Sequence, residues 1–231
     1  MKNYEYAEKL EQIRRKYDWM SELYNGFYTV AQNGLYGYLN EKLEEICKPK
    51  YTTACSFYKG FARVELYGKW GFINEKGEEM CELKYQELHF FVNGFAIVKF
   101  NHRYGFINEQ GKEICEIIFE EVKNFKNGYA QVKLFGCWGF INENGDKVGE
   151  IIYKSVSDFV NGFAIVSMIK KVKTDLPGQY EELQLFGFMD ERGVLIGKIK
   201  YQKVREFMND YAEVLSFGKW LRLSRNGDES A

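Results

Sequence analysis

One segment decides how this 231-residue chain folds: Lys69-Trp70-Gly71-Phe72-Ile73-Asn74-Glu75-Lys76-Gly77. It returns further along as Cys137-Trp138-Gly139-Phe140-Ile141-Asn142-Glu143-Asn144-Gly145. The large aromatic residue of this motif occupies six positions, 34 residues apart except for one interval of 48: Tyr36, Trp70, Tyr104, Trp138, Phe186 and Trp220. A fixed period of this length is typical of tandem-repeat architectures. The chain is therefore predicted to contain six copies of one structural unit.

Two further columns of residues follow the same period. An apolar residue opens each copy, at Leu23, Phe57, Phe91, Phe125, Phe159 and Phe207. A valine recurs at Val30, Val64, Val98, Val132, Val166 and Val214. The long interval falls between Val166 and Phe186, so the fifth copy carries an insertion of 14 residues within residues 167–185. Because it contains the turn signal Pro177-Gly178, we expect the insertion to lie in one loop.

Within one copy, alternating residue types indicate β-strands rather than the helices of a tetratricopeptide repeat. Residues 95–100 and 104–108 each alternate with a period of two, and short Gly-containing connections such as Tyr67-Gly68 join such segments as hairpins. Asn-Glu pairs followed by Gly, as in residues 74–77, predict reverse turns. Residues 113–118 are predicted to form a third strand, and residues 119–127 a closing loop.

The glycine after the large aromatic residue, as in Trp70-Gly71, has no side chain and lets a neighbouring ring or backbone approach. Because the aromatic column recurs together with this glycine, we expect its rings to be buried between repeats. The recurring residues therefore serve the packing of the repeats, whereas a ligand site would use residues found in a single copy.

The two ends of the chain depart from the repeat. Apolar residues at spacings of 4, 3, 4, 3 and 4 predict an amphipathic helix over residues 3–24: Tyr6, Leu10, Ile13, Tyr17, Met20 and Tyr24. The predicted domains are thus a capping helix over residues 1–24 and a β-repeat domain over residues 25–231. In the last copy Leu221 and Arg222 replace the motif glycine and phenylalanine, and the chain is expected to stop before a third strand.

These motifs, together with Asn93-Gly94-Phe95-Ala96-Ile97-Val98 and Pro49-Lys50-Tyr51, resemble those of the WG-containing β repeat family. The resemblance covers about residues 23–227, with Tyr36, Tyr104 and Phe186 in place of the motif tryptophan. It implies a mainly bacterial repeat module, similar to other binding and scaffold repeats. It implies no catalytic residues in this sequence.

The predicted fold class is all-β: six three-stranded repeats of about 34 residues, arranged as an open, solenoid-like array behind a helical cap. The alternative is a closed, propeller-like ring. A closed ring would need a spare N-terminal strand to complete the last repeat, whereas this N-terminus reads as helical. That difference favours the open array.

Composition excludes several classes of function. With 32 basic and 33 acidic residues, the chain has no excess positive charge to bind the phosphates of a nucleic acid. Charges occupy the N-terminus where a signal peptide needs an apolar core, and no apolar run approaches the length of a membrane span. Five cysteines, an odd number, fit a reducing compartment. We expect a cytoplasmic protein without a membrane or nucleic-acid partner.

No residue pattern predicts catalysis, a metal site or a cofactor. Cys47, Cys81 and Cys115 share one slot of the repeat, but Gly149 and Gly197 fill the same slot later, which indicates a small packing position. His89 and His102 have no nucleophile motif nearby and are expected at the surface. The chain is therefore predicted not to be an enzyme.

The insertion is unique to one copy and is not required by the repeat, so it is the best candidate for function. Its candidate binding residues are Lys170, Lys171, Lys173, Asp175, Tyr180 and Glu181. The leading hypothesis is a protein-binding or scaffold module with a protein partner. The alternative is a carbohydrate-binding module that uses exposed aromatic residues. The sequence identifies neither the partner nor a small-molecule ligand.

Overall fold

The computed structural model describes residues 2–173, 176 and 178–231. Its helix, α1, spans Lys2–Arg14, and Leu10 and Ile13 pack against the buried residues Tyr28 and Val30. The predicted extension of this helix to residue 24 is wrong, because Trp19–Met20 pairs with Ala31 and Val30 as a β-strand. In the described part of the chain, no helix combines the length and the apolar character needed to cross a membrane.

Six small antiparallel sheets make up the rest of the described chain. Each is built around a hairpin of two long strands. Sheet 1 contains β1 (Trp19–Met20), β2 (Phe27–Gln32), β3 (Leu35–Asn40) and β4 (Glu45–Tyr51). Sheet 2 contains β5 (Thr53–Ala54), β6 (Phe61–Leu66) and β7 (Lys69–Asn74). Sheet 3 contains β8 (Glu87–Leu88), β9 (Phe95–Phe100) and β10 (Arg103–Asn108).

The remaining three sheets have four strands each. Sheet 4 contains β11 (Glu121–Val122), β12 (Tyr129–Leu134), β13 (Cys137–Asn142) and β14 (Lys147–Tyr153). Sheet 5 contains β15 (Ser155–Val156), β16 (Phe163–Lys173), β17 (Tyr180–Asp190) and β18 (Leu195–Tyr201). Sheet 6 contains β19 (Lys203–Val204), β20 (Tyr211–Ser216), β21 (Lys219–Ser224) and β22 (Glu229–Ser230).

The prediction of hairpins is confirmed, but the three-strand plan of the repeat needs three corrections. The predicted closing loop contains the short strand β11, which pairs with Lys133 and Val132. The predicted third strand at residues 113–118 is reduced to isolated bridges, such as Ile107 with Glu113. The last copy does have a third strand, since β22 pairs with Arg222 and Leu223. In each case backbone pairing with a hairpin strand decides the outcome.

The chain divides into two compact units. Unit 1 comprises Met1–His102 and Phe106–Glu113, and unit 2 comprises Arg103–Gly105 and Ile114–Ala231. The predicted division into residues 1–24 and 25–231 stays a prediction.

The core consists of columns of buried residues that follow the repeat. All six valines of the valine column are fully buried. The opening phenylalanines Phe57, Phe125, Phe159 and Phe207 are at most 2% exposed. In unit 2, Phe207 lies 4.1 Å from Phe163 and 4.9 Å from Phe188, between ring centroids. Phe207 therefore joins its own hairpin to the preceding one.

The structure confirms the packing role of the motif glycine. A Cβ atom on Gly139 would lie 2.7 Å from Cγ1 and 2.8 Å from Cα of Ile151. A Cβ atom on Gly37 would lie 2.5 Å from the Cys47 carbonyl oxygen. In sheets 1 and 4 the third segment thus passes directly over this glycine, and a side chain there would displace it.

A lysine and tyrosine pair holds a glutamate of the next sheet, and the sequence analysis missed this column. The Tyr51 hydroxyl donates to Glu79 at 3.0 Å, and Lys50 Nζ lies 2.8 Å from the same carboxylate. The contact recurs as Lys16-Tyr17 with Glu45, Lys84-Tyr85 with Glu113 and Lys200-Tyr201 with Glu229. The tyrosines recur with the same period of 34 residues, which was the available signal.

We expect Glu79→Gln to reduce the loss of stability at acid pH. The Lys50 ammonium lowers the pKa of Glu79 in the folded chain. The ionised carboxylate therefore stabilises the fold above its unfolded pKa, and this stabilisation is lost as the pH falls through the lower folded pKa. Because both side chains are partly exposed, the expected difference is below about 1 kcal/mol. Urea unfolding at neutral and acid pH measures it, and equal pH dependence in both proteins would contradict it.

Candidate functional site

The insertion forms a long hairpin rather than a loop, which corrects the prediction for residues 167–185. Strands β16 and β17 pair without a register shift from Phe163 with Asp190 to Lys173 with Tyr180. Six residue pairs extend beyond Ser167 and Phe186, a length of about 20 Å at 3.3 Å per residue. Residues 168–173 and 180–185 are called the arm below. Strand pairing orders this segment because its residues form a continuous backbone ladder.

Five of the six predicted binding residues lie on the arm. Lys170, Lys171, Lys173, Tyr180 and Glu181 are all exposed. Asp175 lies outside the described residues. The register places Lys173 opposite Tyr180 and Val172 opposite Glu181, so the arm brings these residues together on two faces of one ribbon.

The arm also exposes apolar side chains that the sequence analysis did not select. Met168 and Leu183 lie on one face and Ile169 and Tyr180 on the other, and each of the four is more than a third exposed. The period-2 pattern of a strand would have located them if the insertion had been recognised as a hairpin. An exposed ribbon with apolar side chains on both faces can offer contact area to a partner.

Three other hairpins carry an exposed aromatic residue at the tip. Tyr67, Phe135 and Phe217 are 82%, 87% and 96% exposed. They adopt φ angles of 47° to 50°, a left-handed conformation that is unfavourable for aromatic residues. In sheets 1 and 3, asparagine takes the equivalent place, at Asn33 and Asn101. These tips expose rings that the fold itself does not need.

The large aromatic column is only half-buried, so the predicted burial between repeats is corrected. Cationic side chains lie over its rings: Lys123 over Trp138 at 5.4 Å, and Arg205 over Trp220 at 4.8 Å. Trp220 is 45% exposed. Such cation–π contacts are worth about 0.5 to 1 kcal/mol at exposed sites. Charged side chains therefore cover part of the Trp138 and Trp220 rings.

In unit 1 one such contact borders a cavity of about 350 Å³, lined by Arg63, Trp70 and residues 86–90. The Arg63 guanidinium lies 3.9 Å from the Phe90 ring centroid, and its Nη1 donates to the Leu88 carbonyl at 2.8 Å. These contacts hold residues 87–90 against β6. The guanidinium thus has a structural role at this cavity.

All five cysteines are free thiols. Desolvation raises the pKa of the buried Cys47 and of the half-buried Cys81, which disfavours the reactive thiolate. His89 and His102 are both exposed. Within residues 2–173, 176 and 178–231, no three His, Cys, Asp or Glu residues are grouped as a metal site would require.

The family model for the WG-containing repeat matches residues 13–36, 36–70, 70–102, 104–134 and 138–170, which is more than half of the chain. The chain belongs to this family. The WG-repeat match ends at residue 170, within the insertion, and the sixth copy lies beyond the matched residues. A comparison with curated proteins finds no match.

Solved structures similar to this WG-repeat chain have low identity. The Pan2 WD40 domain of Neurospora crassa is 10% identical, with 87% of this chain and 73% of that chain covered, at a TM-score of 0.31. The dihydro-heme d1 dehydrogenase NirN is 10% identical, with coverages of 87% and 52% and a TM-score of 0.32. This chain thus spans about half of NirN.

A third similar structure is PorZ of Porphyromonas gingivalis, a component of the type-IX secretion system. It is 12% identical at a TM-score of 0.29, and the alignment covers 92% of this chain and 34% of PorZ. With TM-scores near 0.3, none of these likenesses supports an argument about the WG-repeat chain.

Proposed function

We propose that this WG-repeat chain is a non-enzymatic protein-binding or scaffold module whose partner contacts the arm. The observation that carries the proposal is the extension of β16 and β17 beyond their own sheet, with apolar and charged side chains exposed on both faces. The ladder holds the arm in one conformation, so binding would not have to order a flexible loop. The repeats then serve as the rigid body that presents it.

The test compares the intact protein with a shortened one in which Asn-Gly replaces residues 169–184. Asn-Gly is the pair that joins the equivalent strands β2 and β3, at Asn33-Gly34. A photoreactive phenylalanine derivative at Tyr180, 64% exposed, is irradiated in lysate of the source organism. The control carries the same group at Tyr4, 85% exposed on α1.

We expect a cross-linked product from position 180 that is absent from position 4, and loss of the same partner from the shortened protein in parallel affinity captures. The shortened protein should keep its melting temperature, because the arm leaves the core columns untouched. Identical products from both positions, or equal capture by the shortened protein, would contradict the proposal.

Carbohydrate binding is the second candidate function, and the exposed rings of Tyr67, Phe135 and Phe217 favour it. Aromatic rings with a free face stack on sugars. Because Trp220 is 45% exposed, binding to a nearby ring would change the tryptophan emission. Quenching on titration with a soluble glycan, lost in Phe217→Ala, supports this candidate, and unchanged emission opposes it.

We also propose that the six repeats form an open array in the cytoplasm. Residues Lys2–Arg14 form α1 and add no strand to a sheet, and sheet 6 is completed by its own strand β22. The odd number of cysteines favours a reducing compartment. Small-angle scattering distinguishes an elongated array from a compact ring.

A further inference from the structure

One outer edge of the arm has unpaired backbone groups. The Ile165 and Ser167 carbonyls face β15 and accept hydrogen bonds from Ser157 at 2.9 Å and Lys154 at 2.8 Å. The N–H and C=O groups of successive residues in a strand point to opposite edges. Those of Ile169, Lys171 and Lys173 therefore face the same edge as those of Ile165 and Ser167. Beyond Ser167, no strand in the described part of the chain pairs with that edge.

The neighbouring strand leaves this edge at a definite point. β15 begins at Ser155, and Tyr153 already pairs with Trp138 in sheet 4. An incoming strand would therefore continue the line of β15 along residues 169–173, where no described strand pairs with β16. Strand addition of this kind obtains affinity from backbone hydrogen bonds and specificity from alternate side chains.

The charge of this edge selects the chemistry of the partner. Lys170, Lys171 and Lys173 lie within four consecutive residues of β16. Lys171 is 3.8 Å from Glu182, and both side chains are mostly exposed, so this ion pair contributes little. Among the described residues, Lys170 and Lys173 form no ion pair. Two cations are thus available to acidic side chains on a neighbouring strand.

The faces of the strand set the order of residues in the partner. Lys171 and Lys173 lie on one face together with Ile169, whereas Met168, Lys170 and Val172 lie on the other. A complementary strand has acidic residues at every second position, on the face of Lys171 and Lys173, and apolar residues between them on the face of Met168 and Val172. We infer that the β16 edge of the arm binds an extended, acidic segment of the partner protein, which rests on the proposed function.

A symmetric pairing with a second copy of the chain does not meet this requirement. Two arms joined antiparallel through their β16 edges would bring lysine against lysine. Joined through their β17 edges, they would bring Glu181 and Glu182 against the same residues. Like charges directly opposite each other destabilise a strand pair. The charges of both edges thus disfavour symmetric self-association.

The test uses labelled ten-residue peptides that alternate valine with glutamate, lysine or threonine, titrated against the intact protein by fluorescence anisotropy. We expect the glutamate peptide to bind about tenfold or more tightly than the lysine peptide, with an affinity that falls as salt rises. Equal binding of the two peptides, or no binding of any, overturns the inference. Arm-dependent dimers in sedimentation experiments would overturn it as well.

Two proline variants separate backbone pairing from charge. Lys171→Pro removes an N–H group that points away from β17, towards the open edge. The hydrogen bonds to β17 are made by Lys170 and Val172 and are therefore kept. Glu182→Pro makes the equivalent change on the opposite edge of the arm. We expect Lys171→Pro to weaken the glutamate peptide about tenfold and Glu182→Pro to leave it unchanged.

Lys171→Thr keeps the N–H and removes the charge, so a smaller loss of about threefold is expected, and this variant does not strain the hairpin. If Lys171→Pro and Lys171→Thr both bind like the intact protein, edge pairing is excluded. Should the shortened protein lose its partner while Lys171→Pro retains it, the edge inference fails and the scaffold proposal stands. If the shortened protein retains its partner, the scaffold proposal itself fails.

Discussion

Gly145→Ala is expected to destabilise unit 2 by about 2 to 5 kcal/mol. Gly145 has a φ of 85°, and a Cβ atom there would overlap the carbonyl oxygen of Ile114 in the preceding repeat. A left-handed conformation costs an alanine about 1 to 2 kcal/mol, and overpacking adds about 1 to 3 kcal/mol. Thermal and urea unfolding measure the change, with about 2 to 4 °C expected for each kcal/mol in a chain of this length.

The matched control for this change is Gly128→Ala in the same unit. Gly128 has a φ of 84°, but a Cβ atom there would meet nothing within 4 Å. Only the cost of the left-handed conformation should remain, about 1 to 2 kcal/mol. Equal destabilisation by the two substitutions would show that the turn glycine acts through its conformation alone and not through contact with the preceding repeat.

Phe207→Ala is expected to cost about 3 to 5 kcal/mol, the usual range for removing a buried phenylalanine. The Phe207 ring is 1% exposed and packs between Phe163 and Phe188, so its loss leaves a cavity between sheets 5 and 6. The melting temperature should fall by about 6 to 20 °C. Calorimetry or tryptophan fluorescence during unfolding would record the change.

Phe217→Ala serves as the control within the same repeat. Phe217 is 96% exposed at the β20–β21 turn, so its ring contributes almost nothing to the core. A change within about 0.5 kcal/mol is expected, as for other surface substitutions. A large loss of stability in this variant would mean that the exposed tip has a structural role, and would weaken its use as a candidate sugar contact.

The hairpins and the role of the motif glycine were predictable because both depend on local pattern. Alternation over residues 95–100 indicates which side chains face inward, and Ala96 and Val98 are fully buried. The Asn-x-x-Gly turns are equally local: the Asn108 side chain accepts hydrogen bonds from the Gln110 and Lys112 backbones at 3.1 and 3.0 Å. The Asn-x-x-Gly signal stands in three copies, at residues 74–77, 108–111 and 142–145, so agreement by chance is improbable.

The helix boundary was predicted wrongly because two patterns overlap at the N-terminus. Tyr17 continues the apolar spacing of α1, but it also occupies the tyrosine column of the repeat and donates to Glu45 at 2.9 Å. Trp19 and Met20 then pair with β2. Strand pairing with a segment ten residues further along outweighs the helical spacing, because it satisfies backbone groups that would otherwise be unpaired.

For the candidate site, the sequence located the insertion and its charged residues but not their arrangement. Lys170, Lys171 and Lys173 appear in the sequence as a cluster. Only the unbroken register with residues 180–183 separates Lys171 and Lys173 from Lys170 and turns their peptide groups towards the open edge. The composition of the insertion does not distinguish a loop from a hairpin, because the outcome depends on pairing with the partner strand.

The pattern of residues determined that the chain is a six-fold β repeat, that a valine recurs in every copy and where one copy carries extra residues. These properties follow from which residue types recur, and the same pattern can be read in every copy. Backbone pairing in the folded chain decided where α1 ends, which short strands complete each sheet and how the arm presents its lysines. Those outcomes depend on hydrogen bonds between segments that are separated in the sequence. The free energy of such pairing depends on both segments and cannot be read from either one alone.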